Sequence, residues 1–227
     1  WNKLLKSMLL DVILYTVLTI FSIIIFFTYI CIYYANAIIT KFYISYYDTN
    51  IGVHNVVYTG VESTKNYDSI YQSDMCGWVG QIGYNKESVY GANVFTARKN
   101  EKLRAAGFYA VGKDTTYQVY VVKDFKDTSS FEKKERVAQG KLDNAGYYTI
   151  RFDKEIKVEP GEKFAIVIFV NTPDAVHPLA IEYAADATTA KVDLSDGEGY
   201  ISPDGRTWES AEDTQSCNLC IKAYAGK

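Results

Sequence analysis

Cys217 and Cys220 have the CxxC spacing used in dithiol redox chemistry and in half of a zinc site. A zinc site needs a second pair, which Cys76 alone does not supply, and the surroundings read as a strand rather than the start of a helix after a βαβ unit. Outside a reducing compartment Cys76 and Cys217 could instead form a disulfide, although spacing fixes no connectivity. Cys31 lies in an apolar run and is most simply a small hydrophobe. Asp186, Asp193, Asp196, Glu198 and Asp204 gather carboxylate oxygens of the kind that hold a calcium ion and fix loops in β modules; the alternative is a solvated acidic face. The stretch Asp193-Leu194-Ser195-Asp196-Gly197 lacks the ligand spacing of an EF-hand loop. Among the aromatic residues, Tyr147, Tyr148, Tyr183, Tyr200 and Trp208 are the candidates for a ligand surface, because flat rings stack on sugars and the hydroxyl adds a hydrogen bond. Against that, Tyr is a favoured strand residue and Trp208, after a Pro203-Asp204-Gly205 turn, also suits a core position.

These side chains must be positioned by strands. Short runs rich in Val, Ile, Tyr, Phe and Thr, cut by Gly, Asn and Asp, fill the sequence after Lys41. Strands are expected at Val89 to Thr96, Lys102 to Val111, Thr116 to Lys123, Gly146 to Phe152, Phe164 to Asn171 and Leu179 to Ala184. In Thr116 to Val122 the alternation puts Tyr117, Val119 and Val121 on one face and Gln118 and Tyr120 on the other. Phe164 to Val170 is apolar on both faces, as a central strand covered on both sides must be. Ser129 to Ala138 is the one charged stretch that reads as helical, and Thr59 to Ser73 reads as an irregular connection. The spacing predicts an all-β fold, an antiparallel β-sandwich of jelly-roll type.

Ahead of this domain, residues 12–40 form a run of 29 without Asp, Glu, Lys, Arg or His. About 20 apolar residues suffice to cross a bilayer. An N-terminal transmembrane helix is therefore expected, with Lys3 and Lys6 before it and Lys41 after it giving a small bias toward an inside N-terminus. That makes the chain a single-pass membrane protein with the β domain outside the cell. A small-x-small pattern at Ala35-Asn36-Ala37 allows a cleaved signal instead, although the run exceeds an ordinary signal core. The chain begins at Trp1 rather than Met, which suits a fragment or trimmed product, and an out-of-frame reading of this stretch is a further alternative.

Composition limits the function classes. Of 227 residues, 48% are hydrophobic, which excludes a disordered chain. Lys and Arg number 24 against 27 Asp and Glu, a net charge of −3, so no basic surplus exists to neutralise a phosphate backbone and no nucleic-acid partner is expected. The negative excess collects at the end of the chain, where residues 171–227 hold ten acidic and four basic side chains.

The order and spacing of several segments are similar to the lectin-like domain that follows the papain-like catalytic domain in bacterial cell-surface cysteine proteases. They are Gly91-Ala92-Asn93-Val94-Phe95, Ala106-Gly107-Phe108-Tyr109, Thr116 to Val121, Pro160 to Val167, His177 to Glu182, Gly199 to Trp208, and Asn218 to Tyr224. Phe42 to Asp48 resembles the last strand of the papain-like domain, and Asn66 to Asp74 the segment joining the two domains. The resemblance implies three parts: 1–41 as the hydrophobic segment, 42–84 as the protease remnant and connection, and 85–227 as the lectin-like domain. The catalytic Cys, His and Asn of such proteases would precede Phe42, where the hydrophobic run matches nothing in the family. A thiol protease needs a thiolate, an imidazole and an orienting group. Only His54 and His177 are present, and neither stands in the family's catalytic context. The resemblance implies a cell-surface module without catalysis that binds glycan or cell-wall material. The alternative is the accessory tail of a cysteine peptidase whose catalytic part is missing.

Overall fold

The computed structural model describes residues 14–26 and 57–226. Residues 14–26 form helix α1, with its apolar side chains exposed. Its 13 residues span about 20 Å at 1.5 Å per residue, short of a hydrocarbon core about 30 Å thick. Among the described residues no helix is long and apolar enough to cross a membrane, so the expected transmembrane helix finds no support here. The rest of the apolar run, and the segment Phe42 to Asp48, lie outside the described residues.

The β domain is one compact unit, Val61–Lys227. Its strands are β1 (Ser69–Tyr71), β2 (Gly80–Ile82), β3 (Ser88–Thr96), β4 (Glu101–Ala110), β5 (Thr115–Val122), β6 (Glu135–Leu142), β7 (Gly146–Val158), β8 (Lys163–Asn171), β9 (Leu179–Glu182), β10 (Gly199–Ser202), β11 (Glu209–Ser210), β12 (Asn218–Leu219) and β13 (Lys222–Gly226). A 3₁₀ turn, Thr128–Lys133, lies between β5 and β6, and a short helix α2, Ala211–Gln215, follows β11. They make a four-stranded sheet in the order β1-β13-β4-β7, a six-stranded sheet β11-β10-β3-β8-β5-β6 and a three-stranded sheet β12-β9-β2. Every pairing is antiparallel.

One core joins the three sheets. Leu103, Phe108 and Ile156 come from the four-stranded sheet, Val119, Phe164, Ile166 and Ile168 from the six-stranded sheet, and Leu179, Ile181 and Leu219 from the three-stranded one. Fully burying one such side chain contributes about 1.5–3 kcal/mol. Strand β8 is covered on both faces: Phe164, Ile166, Ile168 and Val170 enter this core, and Ala165 and Val167 enter a smaller cluster with Val122, Phe125 and Phe131. This is why its sequence shows no alternation. The 3₁₀ turn roofs the smaller cluster with Phe131, which is fully buried. Asp127 caps that turn by accepting from the Ser129 backbone N–H.

The helix expected over Ser129 to Ala138 is therefore only this single turn, and Glu135–Leu142 is edge strand β6. Charge on an edge strand protects its open side and hides it from a hydrophobic pattern. Strands β1 and β2 fall within the stretch 42–84 read as a connection, and β1 pairs with β13 from the far end of the chain.

Candidate functional site

On the four-stranded sheet, Leu103 and Phe108 of β4 point inward, and Gly107 and Tyr109 point outward. Tyr109 sits opposite Tyr147 of β7 in the register, and their rings meet edge to face with centroids 4.9 Å apart. Such contacts are favoured by the ring quadrupole. Trp78, between β1 and β2, packs on Tyr109 at 5.5 Å. On the other side the Tyr147 hydroxyl lies 2.5 Å from that of Tyr224 on β13, and Tyr224 meets Tyr67 at 4.9 Å. A row Trp78–Tyr109–Tyr147–Tyr224–Tyr67 thus crosses the outer face.

Trp78 and Tyr147 are each 37% exposed, and Tyr67, Tyr109 and Tyr224 are half-buried. Tyr147 is partly open to solvent, and its hydroxyl lies over Gly107. Burial and the bond to Tyr224 push that hydroxyl well above the usual phenol range, so it stays protonated. A face of large rings with hydroxyls at intervals can stack on a sugar and hydrogen-bond its edge.

The loop carrying Trp78 is fixed by buried charge. Lys222 Nζ donates to the Asp74 carboxylate at 2.7 Å and to the Asp74 carbonyl at 3.4 Å. Burial pushes the Asp74 carboxyl above its usual range, and Lys222 pulls it back only in part. Two residues on, the Cys76 backbone N–H donates to Glu182, whose other oxygen accepts from Asn218 at 3.0 Å. Glu182 and Asn218 are almost fully buried.

Of the five aromatic candidates, only Tyr147 joins the row. Tyr183 is 38% exposed and packs beside Gly80 on the strand that follows Trp78. Tyr148 turns the other way, toward the core, and donates to the Asn144 carbonyl at 2.8 Å. Tyr200 and Trp208 belong to the smaller cluster: their rings lie 5.5 and 4.2 Å from Phe131. Trp78, Tyr67, Tyr109 and Tyr224 were not singled out by the sequence. The available signal was the outward phase of Tyr109 beside Gly107, a glycine in a strand marking a close approach.

The five carboxylates are not brought together. Asp186 accepts from the Thr188 N–H and hydroxyl at 2.8 and 2.6 Å, Asp193 from the Ser195 N–H and hydroxyl at 3.0 and 2.6 Å, and Asp204 from the Arg206 and Thr207 N–H groups at 2.8 Å each. Each closes its own turn, and these bonds lower its carboxyl pKa. Asp196 and Glu198 lie beside Glu212, which itself accepts from the N–H groups of Gly197, Glu198 and Gly199. Among the described residues no group of three or more His, Cys, Asp or Glu is placed to hold a metal ion. Cys76, Cys217 and Cys220 are all free thiols, so the alternative of a Cys76–Cys217 disulfide is not the one the structure takes. Burial pushes the Cys217 thiol up to about 11 and raises Cys220 as well, which disfavours a nucleophilic thiolate.

Burial, with Asp196 and Glu212 close by, raises the Glu198 carboxyl to about 7 from 4.5. The folded chain then holds a proton that the unfolded chain has released, so this group's stabilisation is complete below about pH 4.5 and is lost as pH rises through about 7. The melting temperature should fall across that window, and Glu198→Gln should flatten the slope. An unchanged slope in the variant would assign it to other groups.

The family model described as a lectin-like domain matches residues 70–225. No match was found among curated proteins. Among solved structures, the clostridial cysteine protease Cwp84 after propeptide cleavage is 25% identical with a TM-score of 0.58, over 70% of this chain and 40% of that one. The cysteine protease and lectin-like domains of Cwp84, a surface-layer-associated protein of Clostridium difficile, are 25% identical with a TM-score of 0.52, over 62% of this chain and 32% of that one. The chain therefore spans well under half the length of these neighbours. With the family model covering the whole strand order from β1 to β13, the chain belongs to the lectin-like domain family.

Proposed function

We propose that the chain is a non-catalytic surface module that binds glycan or cell-wall polymer through the outer face of its four-stranded sheet. The observation that carries this is the aromatic row from Trp78 to Tyr67, with Trp78 and Tyr147 open to solvent. The core common to the sheets supports a closed β-sandwich of jelly-roll type, whose rigid sheet preorganises the row. Peptidase activity is not expected: the three cysteines among the described residues are free thiols, two of them buried, and His177 sits in the turn beside Gly83.

A glycan array probed with the full chain tests the reading. Trp78→Ala should weaken binding about tenfold, the equivalent of about 1.4 kcal/mol, and should lower the melting temperature by only a few degrees, the ring being 37% exposed and packed on Tyr109 alone among the aromatic contacts described. An array blank for the parent chain would count against it. The charge-free run at 12–40 supports attachment to a membrane, and Lys3 and Lys6 before it against Lys41 after it support the β domain lying outside; retention in the membrane fraction until detergent is added is the corresponding readout.

A second reading has its own support. Both solved neighbours are cysteine proteases, one carrying a lectin-like domain beside the protease. The chain would then be the accessory tail of such a protease, shaping access to a catalytic domain supplied elsewhere.

A further inference from the structure

Where the aromatic row ends at Tyr67, the outer face sinks into a hollow of about 430 Å³ lined by Asn66, Tyr67, Arg104, Arg151, Phe152 and Glu155. Its origin is a bulge in the β4–β7 ladder. Leu103 pairs with Ile156 and Ala105 with Arg151, so four residues of β7, from Phe152 to Glu155, stand opposite Arg104 alone. Bulges of this kind re-aim side chains, and here Arg104 and Glu155 turn to meet: Arg104 Nε lies 2.9 Å from one Glu155 oxygen and Lys102 Nζ 2.7 Å from the other. Those two cations hold the Glu155 carboxyl below its usual range, so it remains an acceptor. Arg151 reaches Glu62 only at 3.7 Å, and its side chain is 71% exposed. Exchanging that pair for a ligand costs little, since exposed ion pairs are worth about 0–1 kcal/mol.

We propose that this hollow is the subsite for one uncharged sugar residue of the glycan, and the proposal rests on the glycan-binding reading above. Adjacent hydroxyls of a sugar each need a donor and an acceptor. Within the hollow the Arg151 guanidinium donates, the Glu155 carboxylate accepts and Asn66 does both, while Glu62, the partner of Arg151, adds an acceptor beside it. The Tyr67 ring, stacked on Tyr224, carries the aromatic row to its rim. Charge decides against an anionic ligand. Lys102, Arg104 and Arg151 are matched by Glu62, Glu155 and Asp68, the last lying with Arg104 around Gly226. A carboxylate or phosphate entering would meet a neutral cluster with acceptors already in place, and would gain no net Coulombic attraction.

The test uses the full chain and an array of neutral oligomers of glucose, galactose, mannose and N-acetylglucosamine beside polygalacturonate, sialyllactose and phosphorylated mannose oligomers. Neutral probes should bind. Arg151→Ala, a change at an exposed site, should weaken the best of them about tenfold while the melting temperature stays within a few degrees, and Glu62→Gln should weaken it less. Binding lost in Trp78→Ala but unchanged in Arg151→Ala would overturn the subsite and leave the row standing. Preference for the acidic probes would overturn the uncharged class. An array blank throughout would remove both readings together.

Discussion

Lys222→Met should lower stability at neutral pH by about 3 kcal/mol, about 6–12 °C in melting temperature for a domain of this size, and should weaken glycan binding with it. The Asp74 side chain is fully buried and that of Lys222 is 13% exposed, so the lost ammonium is replaced by little water. Removing one partner of a buried pair leaves the other charge uncompensated, which costs more than the pair itself contributes. Asp74 already resists ionisation because of its burial. Without Lys222 its pKa rises further, the folded chain keeps the proton, and the deficit should shrink as pH falls. Asp74→Asn on the Lys222→Met background should recover part of the loss at pH 7. The functional consequence follows from position: Asp74 fixes the loop that delivers Trp78 to Tyr109. A melting temperature unchanged by Lys222→Met at pH 7 would show that solvent reaches Asp74 and that the clasp is dispensable.

The long strands were legible because each obeys a local rule. β3, β4, β5 and β8 fall within a residue of their expected limits, since alternation or a continuous apolar run marks a strand without knowledge of its partners. Strand β7 extends to Val158, well past the expected Phe152, because its second half, Asp153 to Lys157, is charged and crosses the bulge. β6 was hidden by charge on an edge. β1, β2 and β10 to β13 have two to five residues each, too few for a period to register. Their place is set by non-local pairing, as when Ser69 meets Ala225.

The candidate site was less legible for the same reason. Its five rings come from four separated stretches: Tyr67 and Trp78 from the first, Tyr109 from β4, Tyr147 from β7 and Tyr224 from β13. Only the sheet register puts them on one face, and that register is a property of pairing, not of composition. Tyr200 and Trp208 were drawn into the ligand set by residue type, whereas the roof over β8 needed aromatic volume and took them for the core. The carboxylates were likewise read as a cluster because they are close in sequence. Asp186, Asp193 and Asp204 instead do what Asp does in turns, accepting from backbone N–H groups two or three residues on.

Gly107→Ala should abolish binding through the row while costing about 1–3 kcal/mol of stability, the range for overpacking. A Cβ at position 107 would sit 1.9 Å from the Tyr147 hydroxyl and 2.9 Å from the Tyr224 ring, far inside contact distance. The strain is purely steric, since Gly107 lies in regular β4 and has no positive φ. Tyr147 must therefore leave, breaking its bond to Tyr224 and its edge contact with Tyr109. Two effects are separable by a second change. Tyr147→Ala on the Gly107→Ala background removes the closer clash and leaves only the contact with the Tyr224 ring, so the melting temperature should recover in part, but the Tyr147 ring is still missing and binding should stay low. If Gly107→Ala bound the array as the parent chain does, the outer face of the four-stranded sheet would not be where the glycan lies, because a Cβ at that site displaces the Tyr147 ring from its place in the row.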